Sequence, residues 1–185
     1  DTSAFALHEA KEDFYLTGDA VTFADPEQAG AGLFFDGRIT EDFKLSSGTW
    51  VSVGDLRIRA ISAMDPIAQD VVVAGHDRNA AGLLIFPNAT ACRRLAGLDE
   101  SAPLAEVFAH AAVRAHVRAG LAKLKSEGGG SSRYATRARL LDHPPMVDAG
   151  EITDKGYINQ RAVLARRASD VDALYGDDPE GYIPL

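Results

Sequence analysis

The fold is decided by the stretch GRITEDFKLSSGTWV, residues 37–51. A turn-forming triplet, SSG at 46–48, stands near its centre, and the mostly apolar segments FKL (43–45) and WVSV (50–53) flank it. Two short apolar runs separated by a turn that contains glycine predict a β-hairpin. The helix and strand patterns before and after this hairpin then define the domain around it.

Downstream of the hairpin, helical and strand patterns alternate. Asp55 is expected to cap a helix that ends near Met64, because apolar residues recur there at helical spacing. Apolar runs at 70–74 and 82–86 predict two buried strands joined by a turn at 75–79. The remaining expected elements are a helix at 88–95, a helix at 104–125, a strand at 138–141 and a helix from 159 to 174.

Upstream, residues 4–13 predict a short helix, and two strands are expected at 20–23 and 33–37. The second strand is expected to be buried because its first three residues are Leu, Phe and Phe. The order of elements predicts an α+β fold, in which a hairpin and a helix-covered mixed sheet are preceded by a β-rich segment.

Composition excludes several classes of protein. The 185 residues include 19 basic and 27 acidic ones, and the net charge of −8 disfavours broad binding to nucleic acid or to an anionic membrane. The single cysteine, Cys92, excludes an internal disulfide and a cysteine-cluster zinc site. No apolar run approaches the roughly 20 residues that a membrane-spanning helix needs. We therefore expect neither a nucleic-acid partner nor a membrane span.

Few residues stand out as chemical groups by spacing alone. The five histidines show no metal-ligand spacing, so we expect no metal site in this chain. The triple glycine at 128–130 is not followed by Lys and Ser or Thr, and it predicts a plain loop. Lys155 lies in a turn-rich stretch, 149–157, where an ammonium group could reach a phosphate or a carboxylate. The alternative for Lys155 is an ordinary surface turn.

Three segments, in order, resemble the motifs of adenylate-forming enzymes, the superfamily of the acyl- and aryl-CoA synthetases. Residues 14–19, FYLTGD, resemble the Tyr-x-Thr-Gly-Asp motif, and residues 37–44 resemble the Gly-Arg-x-Asp/Lys-x-x-x-Lys hinge motif. Residues 145–161 occupy the place of the Pro-x-x-x-x-Gly-Lys motif, which carries the catalytic lysine. Within the superfamily, the wording of 41–51 and 150–161 is similar to that of the feruloyl-CoA synthetases.

The resemblance implies roles for the first two motifs. Asp19 matches the aspartate that accepts hydrogen bonds from the ribose hydroxyls of ATP and acyl-AMP, a task suited to an ionised carboxylate. Arg38 matches the arginine on the nucleotide side, and Thr40 matches the hinge residue, where the family usually has Asp or Lys. Lys44 and Gly48, with Trp50 following them, lie on the hairpin that turns toward the active site when the CoA thioester forms.

The third motif departs from the family pattern. The Gly-Lys pair of the family falls on Gly150 and Glu151, so the formal lysine position holds Glu. Lys155 is the lysine of this segment, and we expect it to be the catalytic lysine, displaced along the chain. A cation there would neutralise charge between the carboxylate and the α-phosphate during adenylation. The alternative is that this loop carries no catalytic lysine.

The resemblance also implies a domain organisation. Residues 1–37 would be the end of a large N-terminal adenylation domain, and residues 38–185 would be the small mobile C-terminal domain, or lid. The rest of the large domain, which would hold the substrate pocket and the main phosphate-binding loop, is the expected partner. We therefore expect the 185 residues to be a piece of a longer ligase and to be inactive alone.

The implied function is an ATP-dependent acid–CoA ligase that forms an acyl-adenylate and then a thioester. Its cofactors would be ATP, CoA and Mg²⁺, with the metal ligands outside this fragment. The carboxylic acid would be aromatic, of the feruloyl or hydroxycinnamoyl type, and the enzyme cytoplasmic. The competing hypothesis is a non-enzymatic α+β module that acts by protein contact.

Overall fold

A computed structural model describes residues 17–185, except for the side chains of 35–37. The helix expected at 4–13 lies outside the described residues, and so do the first three residues of the FYLTGD motif. Thr17, Gly18 and Asp19 of that motif are described.

The described chain begins with an antiparallel hairpin. Strand β1 (Asp19–Phe23) pairs with β2 (Leu33–Arg38), and a single 3-10 turn lies between them. The expectation of burial for β2 was wrong, because Leu33 and Phe34 are 56% and 64% exposed. An apolar run is buried only where another layer covers it, and no other element within residues 17–185 covers these two side chains.

The hairpin predicted within 37–51 is confirmed: β3 (Phe43–Lys44) pairs antiparallel with β4 (Trp50–Val51). Helix α1 (Val53–Ala63) follows directly, and the prediction that Asp55 caps it was wrong. Asp55 lies in the first turn, while the Oδ1 atom of Asp42 accepts a 2.9 Å hydrogen bond from the backbone N–H of Val53. The carboxylate at the start of the helix therefore comes from 11 residues upstream.

The main sheet has four strands in the order β5-β6-β7-β8. Strands β5 (Ala68–Ala74) and β6 (Ala81–Pro87) form the predicted antiparallel pair, and β7 (Ala135–Leu140) lies parallel to β6. Strand β8 (Ile183–Pro184) pairs antiparallel with β7 and was not predicted. The sheet is therefore mixed, as expected.

Two helices predicted as continuous are broken. Between α3 (Leu104–Ala109) and α4 (Ala111–Ser126), His110 has an extended backbone, and its Nδ1 atom accepts a 3.2 Å hydrogen bond from Ala112 N–H. The apolar stripe continues across this break, so periodicity could not reveal it. Arg167 likewise separates α5 (Gln160–Arg166) from α6 (Ala168–Tyr175). The short helix predicted at 88–95 is confirmed as α2 (Ala89–Ala96), with Asn88 as its N-cap.

Helices cover both faces of the main sheet. Because successive strand residues point to opposite faces, Val71 and Val73 pack with α1 and α4, while Val72 and Ala74 pack with α5 and α6. The two apolar layers explain why β5 and β6 form nearly continuous apolar runs. No helix in the part of the chain that the structure describes is long and apolar enough to cross a membrane.

Candidate functional site

Asp19 and Arg38 are neighbours across the first hairpin. Asp19 opens β1, Arg38 closes β2, and the two are directly opposite in the strand register. The Oδ1 atom of Asp19 lies 3.9 Å from Nε of Arg38, and both side chains remain accessible to solvent. The pairing extends one step further, because Ile39 N–H donates to the carbonyl of Gly18 at 3.0 Å. The end of this hairpin thus presents a carboxylate acceptor beside a guanidinium donor.

The hinge segment, residues 39–42, connects this hairpin to the domain that follows. Thr40 is exposed, and its carbonyl lies 3.5 Å from Nη2 of Arg161, in the first turn of α5. Asp42 already accepts a hydrogen bond from the first turn of α1, so the segment between the first hairpin and the following domain is short. The structure places Thr40 between two separately hydrogen-bonded units, and its role as a pivot stays a prediction.

Glu41 is a residue of the hinge segment that sequence reasoning missed. Burial raises the pKa of its carboxyl group above the ordinary value, while the nearby Arg57, Arg38 and Arg161 act in the opposite direction. In the sequence, Glu41 stands among the consecutive polar residues 40–42, which gave no indication of this partial burial.

The β3–β4 hairpin brings together the three residues predicted there. Nζ of Lys44 lies 5.1 Å from the centroid of the Trp50 ring, within the range of a cation–π interaction. Trp50 is 59% exposed, so the ring and the ammonium form a platform open to solvent. Gly48 has φ +82°, which glycine adopts without strain, and its N–H donates to the carbonyl of Leu45 at 2.8 Å. The turn at 75–79 supports the hairpin through its own backbone hydrogen bonds.

Lys155 lies at the tip of a well-defined small hairpin, the lysine hairpin, which spans residues 151–159. Ile152 pairs with Ile158 at its base, and Thr153 N–H donates to the carbonyl of Tyr157 at 2.8 Å. Gly156 has φ +82°, the conformation expected where a tight turn is followed by a left-handed residue. The Lys155 side chain is exposed, and no hydrogen bond or ion pair joins it to another residue within 17–185.

Glu151, at the formal lysine position, is only 2% exposed. Arg167 binds it in a bidentate manner, with Nε and Nη2 at 2.9 Å from Oε1 and Oε2 respectively. These hydrogen bonds lower the pKa of Glu151 below its ordinary value, although burial acts in the opposite direction. The position that the resemblance assigns to the family's lysine therefore holds a buried carboxylate whose pKa is lowered, and it offers no exposed cation.

The other candidate groups have structural partners. His110 caps a helix, and Nε2 of His116 is 3.0 Å from the carbonyl of Asp65. Tyr175 has its hydroxyl within 3.0 Å of two backbone carbonyls, and burial raises its pKa. A cavity of about 260 Å³ lies between Phe43 and Tyr175. Within the described residues, no group of three or more His, Cys, Asp or Glu could hold a metal ion, so the Mg²⁺ that the resemblance implies has no ligand set here and we derive no step through it.

The predicted site residues thus form three groups. Asp19 pairs with Arg38, and Lys44 pairs with Trp50. Thr40 is in contact with Arg161, which lies close after the lysine hairpin in sequence. Within residues 17–185, no hydrogen bond or ion pair joins Lys155 to any of these three groups.

Comparison with known proteins identifies the fold of this chain. No protein-family model matches the chain, and no curated protein matches it. Among solved structures, the A-PCP didomain of a carboxylic acid reductase from Segniliparus rugosus in complex with AMP matches with a TM-score of 0.67 and 23% identity, over 90% of this chain and 21% of that one.

Two further adenylation domains match similarly. The A domain of the Segniliparus rugosus reductase, in complex with AMP and a co-purified carboxylic acid, has a TM-score of 0.66 and 24% identity, over 89% of this chain and 24% of that one. The A domain of a carboxylate reductase from Mycobacterium chelonae has a TM-score of 0.69 and 21% identity, over 90% and 24%. The chain spans less than a quarter of these proteins and has the fold of the matching part of their adenylation domains.

Proposed function

We propose that this chain is the C-terminal part of an enzyme that activates a carboxylic acid as its acyl-adenylate and then transfers the acyl group to the thiol of CoA. The observation that carries the proposal is the pairing of Asp19 with Arg38 directly before the hinge segment, in a chain that has the fold of adenylation domains. Residues 1–37 would complete a large N-terminal domain, and residues 38–185 would form the lid.

In this proposal, Asp19 binds the nucleotide. Its carboxylate is accessible and can accept hydrogen bonds from two ribose hydroxyls, whereas Arg38, 3.9 Å away, can hold a neighbouring anionic or polar group of the same ligand. The antiparallel register of β1 and β2 keeps the two groups opposite each other, which lowers the entropic cost of binding.

The adenylation step requires a cation, and Lys155 is the residue that we assign to it. A carboxylate oxygen of the acid forms a bond to the α-phosphorus of ATP while the bond from that phosphorus to the bridging oxygen breaks and pyrophosphate leaves. Negative charge is concentrated on the reacting oxygens, and an ammonium group placed beside them stabilises the transition state. Lys155 is exposed at the end of a short hairpin, a position from which it can reach a partner domain.

The transfer step would use a different face of the lid. The sulfur of CoA forms a bond to the acyl carbon, the bond from that carbon to the AMP oxygen breaks, and the thiol proton passes to solvent. The Lys44–Trp50 platform is exposed and combines a cation with an aromatic face, which suits a ligand with phosphate and adenine groups. Rotation about Thr40 would exchange this platform for the lysine hairpin.

The substrate class rests on the wording of residues 41–51 and 150–161, which is similar to that of feruloyl-CoA synthetases. We therefore propose an aromatic acid of the hydroxycinnamic type, and the cytoplasm, where ATP and CoA are available, as the location. Because the acid pocket would lie in the proposed large N-terminal domain, the 185 residues alone should not release pyrophosphate.

The test uses the parent polypeptide and measures acid-dependent exchange of pyrophosphate into ATP, with hydroxycinnamic, benzoic and aliphatic acids compared. Asp19→Asn should slow exchange by roughly 10- to 100-fold, because a hydrogen bond to a charged group contributes about 1.5–3 kcal/mol. Asp25→Asn is the matched control, since Asp25 is a partly exposed aspartate of the same hairpin whose side chain accepts a local hydrogen bond from Glu27 N–H.

Each possible outcome tests a different part of the proposal. Equal exchange in Asp19→Asn and Asp25→Asn would contradict the nucleotide site. Exchange without formation of a CoA thioester would remove the CoA step and leave adenylation standing. No exchange with any acid would favour the non-enzymatic interaction module.

A further inference from the structure

Several hydrogen bonds and ion pairs hold the Glu151 carboxylate in place, and we call this set of contacts the joint. Besides the two bonds from Arg167, its Oε2 atom accepts a 2.8 Å hydrogen bond from Met146 N–H, and Nε of Arg166 lies 3.9 Å from Oε1. The side chain is 2% exposed, so the joint is shielded from water. A buried carboxylate is stable only when its partners satisfy it in this way.

This joint lies at the base of the lysine hairpin. The carbonyl of Glu151 accepts a 2.8 Å hydrogen bond from Asn159 N–H, which closes the two arms of the hairpin on each other. The pairing of Ile152 with Ile158 is the next step toward the tip, and Lys155 stands at the turn. The residue whose side chain forms the joint therefore also closes the base of the hairpin through its backbone.

Arg167 connects the joint to the body of the domain. Its guanidinium lies 4.9 Å from the ring centroid of Phe86, a buried residue of β6, and it also donates to the carbonyls of His143 and Pro144 at 3.0 and 2.9 Å. Arg167 itself occupies the break between α5 and α6. One continuous set of contacts thus runs from the sheet through Arg167 and Glu151 to the hairpin.

The other arm of the hairpin has its own support, from Gln160. Its Oε1 atom accepts from Val73 N–H at 3.1 Å, and its Nε2 donates to the Val73 carbonyl, so the side chain is joined to the edge of β5. Gln160 therefore attaches this arm to the sheet through contacts that do not involve the Glu151 side chain.

We propose that Glu151 is a positioning residue for Lys155: together with Arg167 it orients the lysine hairpin so that the ammonium group reaches the α-phosphate during adenylation. This inference rests on the proposed function. It also explains how a chain with Glu at the formal lysine position can retain a lysine-dependent step, because the carboxylate supports the hairpin that carries the displaced cation. A misplacement of about 1 Å at a reacting group can cost roughly 10²-fold in rate.

The experiment measures the two half-reactions separately in the parent polypeptide. Glu151→Gln should slow acid-dependent pyrophosphate exchange by roughly 10- to 100-fold, because the hairpin no longer holds Lys155 in the orientation that reaches the α-phosphate. The formation of CoA thioester from supplied acyl-adenylate should stay within about 3-fold, because that step does not use Lys155. The double variant Glu151→Gln/Lys155→Ala should be no slower in exchange than Lys155→Ala alone, since coupled residues are not additive.

Asp170→Asn is the matched control for lost stability. Asp170 is half-buried and accepts a 2.8 Å bond from Nε of Arg139, so its removal also breaks an ion pair between the sheet and the helices on the same face. It contacts no residue of the lysine hairpin, and exchange and thioester formation should change together, if at all. Should Glu151→Gln fail to fold, Glu151→Asp and Arg167→Lys keep the charges but change the geometry, and they should show the same selective loss.

Several results would overturn the inference. Parallel loss of both half-reactions in Glu151→Gln would show a structural role alone, and additive losses in the double variant would show action independent of Lys155. A normal rate of exchange in Lys155→Ala would remove the lysine assignment in the proposed function itself. Loss in Lys155→Ala combined with normal exchange in Glu151→Gln would overturn only the positioning role.

Discussion

Lys44 and Trp50 face each other across the β3–β4 hairpin, with the ammonium group 5.1 Å from the centroid of the indole ring. Trp50 is the single tryptophan of the chain, and it is 59% exposed. The tryptophan fluorescence of the 185-residue chain therefore reports on this one platform and on the charge beside it.

Lys44→Met should change the access of charged quenchers to Trp50. A positive charge about 5 Å from the ring attracts iodide, so its removal should lower the iodide quenching constant by roughly two- to fourfold at low salt. Neutral acrylamide should quench both proteins equally, and Lys123→Met, on the exposed side of α4, is the control lysine. Equal iodide quenching in Lys44→Met and the unmodified chain would show that the ammonium does not lie at the ring in solution.

Gly156→Ala should distort the turn that carries Lys155. Gly156 has φ +82°, and an alanine there costs about 1–2 kcal/mol although the space around it is open. The free energy of unfolding in urea should fall by about this amount, and exchange of amide hydrogens in the lysine hairpin should accelerate. Gly30→Ala is the control, because Gly30 also has open space but no positive φ, and a loss of the same size there would contradict the argument.

The stability of the chain should depend on pH in acid through Glu151. Its pKa is lowered below 4.5 in the folded state by Arg167, so its stabilising contribution is present above the ordinary pKa and is lost as pH falls through the folded value. Glu151→Gln should reduce the free energy of unfolding at neutral pH by about 3 kcal/mol, because it leaves Arg167 without its buried partner. The difference between the two proteins should shrink in urea titrations below the pH at which Glu151 is protonated, and an unchanged difference would contradict this.

The contribution of Glu41 to stability should change with pH in the opposite direction. Burial raises its pKa above 4.5, so its favourable contribution is present below the ordinary pKa and is lost as pH rises through the folded value. At each pH, the free energy of unfolding of Glu41→Gln is compared with that of the unmodified protein. This difference should favour the variant more at pH 7 than at pH 4. A destabilising effect that grows between pH 4 and pH 7 would instead show that the neighbouring arginines outweigh burial.

Gly120→Ala should weaken the contact between α1 and α4. A Cβ atom at Gly120 would lie 2.5 Å from Cγ of Met64 and 3.2 Å from the carbonyl of Ala63. Since Met64 can move but the backbone cannot, we expect a loss of about 1–3 kcal/mol in the free energy of unfolding. The measurement is urea denaturation followed by far-UV circular dichroism, and a more stable variant would show that α4 shifts without cost.

Much of the local structure could be predicted because its causes lie within a few residues. The turn triplet at 46–48 predicts the β3–β4 hairpin, and the two apolar runs predict the β5–β6 pair. Two helix breaks escaped prediction. At His110 the apolar stripe continues through the break, and at Arg167 the side chain is occupied by a carboxylate 16 residues upstream.

The candidate site also has one part that the sequence predicted and one part that it did not. The motifs indicate Asp19, Arg38 and Lys155 as chemical groups, and the antiparallel register of β1 and β2 makes the first two neighbours. Nothing in the sequence showed that Glu151 is buried, because its burial depends on Arg167, Met146 and the ring of Phe86 meeting in one place.

The sequence by itself determined most of the strands and helices, several turns and the residues that can carry charge, since these depend on side-chain periodicity and on turn residues next to each other in the chain. The tertiary structure alone decided which charges are buried and which are exposed. Burial is a property of contacts between distant residues: it joins Glu151 to Arg167, brings Asp42 to the start of α1, and leaves Leu33 and Phe34 uncovered within the described chain.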